Sequence, residues 1–440
     1  MTWSALAGLL ALSGIAAPRM DRSKLQIGVY DLAHQDEKHI AEMKECGIDF
    51  VVGYIDKGSR NVLDLFAKYG MGVVVSHVYP SRKWMSDPGT LEKQHPFAEY
   101  RQAVADFQAK YDHPAVWMIE GEDEPSAIDF PYIAKTIKLA ADALPETPVY
   151  LNLLPNYATV AENSADAVKS QLGTTTYREH VEAYCREIPL DYISYDFYVY
   201  NSNPKRRKEL LAEMYANFID VSDCCRATGR SFWYIPQVNS HPGSAEFPPE
   251  WTSANRLRFQ AYSAMAYGAE AITWACWSPG WWTNNVLTAS GEKTEQYEKL
   301  KAVNAELHRL GSAYMRFRTV ATHFVGDFPG YVLDRVGRTY LKQLDTGFVR
   351  NVKTVEGTPL LVGEMVPRKD LGSRVRALFV VSSGDFEDLA PAVRTVTFSV
   401  PGKAQVKVFG PDGEIAVTQT ADGAHSFPLA ENAGALVVVR

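Results

Sequence analysis

The sequence predicts an α/β chain in which a (β/α)8 TIM barrel is followed by a smaller antiparallel β-sandwich. Two observations carry this. Between residues 26 and 280 eight short apolar, β-rich runs alternate with stretches of helical spacing, the pattern of parallel βα units. Beyond about residue 315 that spacing stops, and β-rich stretches follow one another between Gly, Pro and Asp-Gly turns. The chain of 440 residues is also too long for one ordinary core. A barrel of about 250 to 300 residues plus a domain of about 120 fills it.

Taken in order, residues 3 to 17 (WSALAGLLALSGIAA) are apolar, too short to span a bilayer comfortably, and end in small residues like those of a leader cleavage region. The expectation is a leader over residues 1–22 and a secreted or periplasmic protein, although no Lys or Arg precedes the run. The barrel is expected over 23–314. Its strands are read in QIGVYDL from 26, DFVVGYI from 49, GVVVSHVYP from 72, AVWMIEGEDEP from 115, PVYLNLLPNY from 148, DYISYDFYVY from 191, FWYIPQVNSH from 232 and AITWACWSPG from 271. EYRQAVADFQAKY, FPYIAKTIKLAADAL and ANRLRFQAYSAMAYG place apolar residues three and four apart, as outer helices do. A last helix is expected around 293 to 312. RALFVVSSG, RTVTFSVPG, QVKVFGPDGE and GALVVVR then read as the strands of a sandwich over 315–440, with no helix among them.

Composition narrows the function. Hydrophobic residues at 46% and charged residues at 22% mark neither a disordered chain nor a membrane bundle. A formal charge of -7 with no run of Lys or Arg gives no field for nucleic acid or anionic lipid, so neutral ligands fit better and no membrane-spanning segment is expected. Cys46, Cys185, Cys224, Cys225 and Cys276 are odd in number and lack CxxC spacing, which points to structural thiols rather than a disulfide framework or zinc. HExxH, GxxxxGK, GxGxxG and GxSxG are absent from the sequence, so no metal and no cofactor are expected.

In such barrels chemistry sits at the C-terminal ends of the strands. Strand four ends Ile119-Glu120-Gly121-Glu122-Asp123-Glu124-Pro125, four carboxylates in five positions. Strand alternation puts Met118, Glu120 and Glu122 on one face, with Glu120 pointing into the barrel. Crowding Glu120, Glu122 and Glu124 together raises the pKa of at least one, as a general acid requires.

Asp123-Glu124-Pro125 after an apolar fourth strand resembles the Asn-Glu-Pro or Asp-Glu-Pro signature of the clan A glycoside hydrolases. The run LDYISYDFYVY, Arg258-Phe259-Gln260-Ala261-Tyr262 leading to Ala266-Tyr267-Gly268-Ala269, and the Trp-rich strand eight resemble clan members related to the family 42 β-galactosidases. The likeness covers roughly residues 25 to 310. It implies a glycosidase barrel in which Glu124 is the acid/base, a carbohydrate substrate, and a strand-eight Trp, chosen as Trp277, flooring the subsite of the scissile sugar.

The sequence departs from that pattern at strand seven. Where clan A members carry a nucleophilic Glu, Tyr234-Ile235-Pro236-Gln237-Val238-Asn239 places Gln237, and a neutral amide forms no glycosyl ester. Three explanations compete: Asp196, inward on strand six with Ser194 and Tyr198, supplies the second carboxylate; two of Glu120, Glu122 and Glu124 divide the roles; or the barrel binds sugar without cleaving it. The first is preferred, with Glu124 protonating the glycosidic oxygen, Asp196 stabilising or attacking the oxocarbenium-like centre, and Gln237 holding the sugar. Asp31, Tyr54, His77, Glu120, Glu122, Asp123, Asn152 and Tyr198 complete the candidate sugar contacts. The expected activity is hydrolysis of a terminal or oligosaccharide glycosidic bond, galactoside-like by resemblance, and the rival is a non-catalytic carbohydrate-binding protein on a degenerate barrel.

Overall fold

The computed structural model describes residues 20–30, 32–55, 59–76, 89–158, 171–280, 282–369, 374–387, 391–420 and 423–440. Eight parallel strands close into a barrel in sequence order: β1 (Gln26–Tyr30), β2 (Phe50–Gly53), β3 (Gly72–Val75), β4 (Val116–Asp123), β5 (Val149–Leu153), β6 (Tyr192–Phe197), β7 (Ser231–Pro236) and β8 (Ala269–Trp274), with β8 pairing back onto β1. Six lie inside the runs read from the sequence, while β7 begins one residue and β8 two residues before its run. They read as continuous apolar stretches because both faces are covered, one by the barrel interior and one by the helices. The interior is packed by large rings: Tyr192 lies 4.2 Å from Trp233 and Tyr150 6.2 Å, all stacked across β5, β6 and β7.

The helices Phe97–Tyr111, Phe130–Ala143, Ala254–Ala266 and Glu295–Tyr314 fall where apolar spacing predicts them. Helix starts carry side-chain caps where the sequence supplies them. Thr176 and Glu179 form a reciprocal capping box on Tyr177–Glu187, and Asn203, Ser253 and Thr294 cap Pro204–Thr228, Ala254–Ala266 and Glu295–Tyr314.

Two residues after Glu295–Tyr314 the chain enters the sandwich. Its larger sheet has the order β15 (Gly413–Ile415), β14 (Val406–Gly410), β18 (Gly434–Val439), β12 (Arg376–Ser382), β11 (Leu360–Pro367) and β9 (Phe317–Val325); its smaller sheet runs β10 (Arg350–Thr354), β13 (Val393–Ser399), β17 (His425–Ala430) and β16 (Thr418–Gln419). All pairs are antiparallel. The larger sheet lies on the outer helices Ala254–Ala266 and Glu295–Tyr314.

Two expectations are corrected. A helix, Gly330–Val336, lies among the sandwich strands; at seven residues between Pro329 and the left-handed cap Gly337 it is too short to display a period. Cys185 and Cys224 are joined as a disulfide, while Cys46, Cys225 and Cys276 are buried and take no part in it. The pair sits on the adjacent helices Tyr177–Glu187 and Pro204–Thr228, a proximity that a separation of 39 residues conceals. The leader expected over 1–22 lies, up to residue 19, outside the described residues. Among the described residues no helix is long and apolar enough to cross a membrane.

The sandwich backbone packs tightly on the barrel at Gly363 of β11, where an added Cβ would stand 2.3 Å from the backbone oxygen of Ala266. Backbone at a helix end cannot rotate away as a side chain can. Gly363→Val is expected to cost about 1 to 3 kcal/mol through overpacking, read as a lowered midpoint in thermal or urea unfolding, whereas Gly330→Val, with open space at its Cβ, leaves the midpoint nearer that of the wild type.

Candidate active site

The end of β4 is built by a β-bulge. Glu120 pairs with Tyr150 of β5 and Asp123 with Asn152, so three steps along β4 answer two along β5. Side-chain parity changes across the extra residue. Asp123 therefore joins Glu120 on the inward side, and Glu122 turns outward, 5% exposed, where its charge acts on Tyr132 of the helix Phe130–Ala143. This corrects the simple alternation that set Glu120 and Glu122 on one face. Beyond the bulge Glu124 adopts φ 52°, a left-handed conformation that costs a side-chain-bearing residue on the order of 1 kcal/mol or more. Its backbone N–H donates to the carbonyl of Asn152 at 2.9 Å, which holds the turn.

Glu124 and Asp123 face a cavity of about 510 Å³ whose wall also includes Tyr30, Asn152, Leu154, Tyr157, Asp196, Tyr198, Ile235 and Trp282. These residues come from the ends of β1, β4, β5, β6 and β7 and from the segment after β8, so the cavity opens at the C-terminal mouth of the barrel. Asp196, 3% exposed, shares a hydrogen bond with Glu124. The amide of Asn152 donates to Asp196 Oδ1 at 2.9 Å and to Asp123 Oδ1 at 3.3 Å. Trp282 meets Tyr198 edge-on at 4.4 Å, making an aromatic wall opposite the carboxyls.

Burial, then the charges of Glu124 and Asp123, holds the Asp196 carboxyl well above the usual carboxylate range; the amide of Asn152 pulls the other way. Asp123 is raised by burial first and by Glu124 and Glu120 next. Asp123 is itself exposed to the cavity, so burial weighs less on it than on Asp196. Three carboxyls this close do not all ionise together near neutral pH.

Not every sequence candidate reaches this cavity. Gln237 is fully buried and its amide is spent on backbone: Oε1 accepts from Tyr200 N at 2.9 Å, and Nε2 donates to the carbonyls of Tyr200 and Asn239, both at 3.0 Å. It clamps the loop after β6 and contributes nothing to the cavity wall, which on β7 presents Ile235. Trp277 is 1% exposed, its ring 5.9 Å from Tyr297 and its backbone N–H tied to the carbonyl of Tyr30, and the tryptophan in the cavity wall is Trp282. Tyr54 is 43% exposed and lies off the cavity wall. Asp31 and His77 lie outside the described residues. Tyr30 and Tyr157 are the wall residues that strand-end reading passed over, since reading for polar groups discounts a Tyr in an apolar run.

A second cavity, of about 530 Å³, opens at the foot of the barrel beside the sandwich, with Met315, Phe317 and Val438 in its wall; it has no carboxylate side chain in its lining. Among the described residues no cluster of His, Cys, Asp and Glu is arranged to hold a metal ion.

No protein-family model matches the chain, and no curated protein matches it. Among solved structures it is similar to a β-galactosidase from Rahnella sp. R3, with a TM-score of 0.51 and 10% identity over 93% of this chain and 98% of that one. It also aligns with a β-galactosidase from the psychrophilic Marinomonas ef1 (TM-score 0.46, 14% identity, 72% of this chain and 66% of that one). An endo-β-1,4-glucanase from Xanthomonas axonopodis pv. citri aligns at a TM-score of 0.40 with 13% identity, over 64% of this chain and 99% of that one. At these identities the likeness is one of fold, a TIM barrel followed by antiparallel sheets.

The raised carboxyls set a pH dependence. A group whose folded pKa lies above its unfolded value stabilises the fold below the unfolded value, about 3.9 for Asp, and that contribution is lost as pH rises through the folded value. Asp196→Asn removes one such group. The stability of Asp196→Asn relative to wild type should therefore increase from about pH 4 upward, as measured by urea unfolding across pH. A difference that stays flat or falls with pH would contradict the raised Asp196.

Proposed function

We propose that the chain is a glycoside hydrolase whose carboxyl pair is Glu124 and Asp196. The observation that carries this is the contact between the two carboxyls inside an aromatic-walled cavity at the strand ends, where barrel enzymes do their chemistry. In the free site Asp196, desolvated at the barrel mouth, keeps its proton. When a glycosidic oxygen comes against Glu124 the proton crosses the shared hydrogen bond: the O–H of Asp196 breaks, that of Glu124 forms, and Glu124 donates it to the leaving oxygen. The bond from that oxygen to the anomeric carbon breaks, Asp196 is left negative beside the oxocarbenium-like centre, and water adds there, giving up a proton that restores the pair.

The two carboxyls touch in the free protein, whereas retaining glycosidases hold theirs about 5 to 5.5 Å apart and inverting ones about 6.5 to 9.5 Å. The sugar parts them once the proton has crossed, and the separation then reached decides the stereochemical outcome. Trp282 and Tyr198 offer ring faces and edges to the sugar, and Tyr30 and Tyr157 offer hydroxyls. The fold likeness to a β-galactosidase supports a terminal galactoside as the first substrate to try.

Glu124→Gln and Asp196→Asn are each expected to lower kcat by about 10²- to 10⁴-fold on whichever nitrophenyl glycoside or oligosaccharide the wild type cleaves. Trp282→Ala should raise KM about three- to tenfold with a smaller change in kcat. A specific feature favours a second reading, a sugar-binding protein without turnover: β7 presents Ile235 to the cavity and no carboxylate. Sugar binding by calorimetry with no hydrolysis of any substrate in the panel would select that reading.

A further inference from the structure

Beneath the cavity runs a line of hydroxyls that the proposed chemistry leaves unused. Tyr30 Oη on β1 donates to Tyr150 Oη on β5 at 3.3 Å; Tyr150 Oη lies 3.0 Å from Ser194 Oγ on β6; and Ser194 Oγ donates to Asn152 Oδ1 at 3.2 Å. The direction of the middle bond follows from proton count. A serine hydroxyl carries one proton, and that of Ser194 is given to Asn152, so Tyr150 is the donor to Ser194. Every donor then points the same way, and the line ends where the Asn152 amide donates to Asp196 and Asp123. The same bonds fix the amide orientation, since turning it over would set its oxygen against two carboxyls.

We propose that Tyr30, Tyr150, Ser194 and Asn152 form a directed relay through which a sugar hydroxyl bound at Tyr30 controls the charge on Asp196. This rests on the reading of Glu124 and Asp196 as the catalytic pair. Tyr30 lines the cavity and spends its proton inward, so its oxygen remains an acceptor for a substrate hydroxyl. Accepting that bond makes Tyr30 a stronger donor, and each bond in a chain polarises the next. The Asn152 N–H groups become better donors, the ionised form of Asp196 is favoured, and its proton is released toward Glu124. The proton therefore moves when the sugar is seated rather than before. Asn152 acts here as a positioning residue, working through the carboxyls it holds, and not as the sugar contact its strand-end position implied.

The groups facing Asp196 are consistent with a lever of this kind. Its charge is coupled through space to Glu124 and Asp123 of β4, to Tyr157 after β5, to Tyr177 of the helix Tyr177–Glu187, to Tyr234 of β7, and to Tyr195 and Tyr198 on its own strand and the loop beyond it. The carboxyls and the hydroxyls' own ionisation all oppose a negative Asp196. Asn152 is the group that donates to it and favours its charge. A change in the donor strength of that one amide is felt directly.

The experiment is a ¹³C NMR titration of the side-chain carboxyls in the full chain. Wild type, Asn152→Leu and Tyr150→Phe are compared, each free and with isopropyl β-D-thiogalactoside, whose sulfur linkage resists hydrolysis. The pH profile of kcat/KM is recorded alongside. Asp196 is expected to titrate about one to two units higher in Asn152→Leu. In Tyr150→Phe, a buried change that touches neither carboxyl nor cavity, the rise is about half a unit. The galactoside should lower the Asp196 titration in wild type and leave it unmoved in Tyr150→Phe. Tyr150→Phe also stands in should Asn152→Leu fail to fold.

The relay is overturned if Tyr150→Phe titrates as wild type does, or if the galactoside binds both proteins and moves Asp196 equally in each. Absence of glycoside cleavage with these shifts present would remove the proposed hydrolase and keep the relay. If the galactoside does not bind, a galactoside substrate is rejected and the free-protein titrations decide the relay.

Discussion

Three carboxyls, those of Asp123, Glu124 and Asp196, meet in one desolvated cavity, and they cannot all carry charge. The amide of Asn152 is what makes the arrangement tolerable. By donating to Asp123 and Asp196 while its carbonyl oxygen takes the Ser194 proton, it converts three repelling groups into a connected network. Its backbone carbonyl also holds the N–H of Glu124, so the left-handed turn that aims Glu124 hangs on the same residue. Remove that amide and the carboxyls of Asp123 and Asp196 lose a shared donor together.

The scaffold beneath is suited to keeping such a network in register. Tyr150, Tyr192 and Trp233 fill the barrel with stacked rings that leave little freedom below the cavity. Tyr150 belongs to both systems, packing as a ring and bonding as a hydroxyl. At the rim, Gln237 pins the loop after β6 by two bonds to the backbone of Tyr200 and makes a third to Asn239, which steadies the segment that carries Tyr198 and Tyr200. The Gln237 amide at the end of strand seven is thus a structural fastener, and strand six adds Asp196 to the strand-four acids of the cavity.

Much of this was legible in the residues alone. Eight apolar runs in alternation with amphipathic stretches specify eight parallel strands because a strand covered on both faces must be apolar along its length. Asp196 and Asn152 were legible for a related reason: a polar residue in an apolar run stands out against its neighbours. Tyr30 and Tyr157 did not stand out, since a tyrosine fits a core as readily as a cavity wall. Trp277 and Trp282 illustrate the same limit. Both lie in one Trp-rich segment, and only the path of the chain after β8 buries the first against Tyr297 and turns the second toward Tyr198.

What the sequence by itself determined is the periodic part: the order of strands and helices, the change of architecture near residue 315, and the crowd of acids ending strand four. Local spacing encodes these, and local spacing is what a sequence displays. The tertiary structure decided which acids meet. One extra residue in β4 against β5 exchanges Glu122 for Asp123 on the inward face, and the closing of the barrel carries Asp196 from a strand some seventy residues away into contact with Glu124. Both outcomes depend on register between strands, which is set by pairing and packing across the barrel and not by any residue's immediate neighbours.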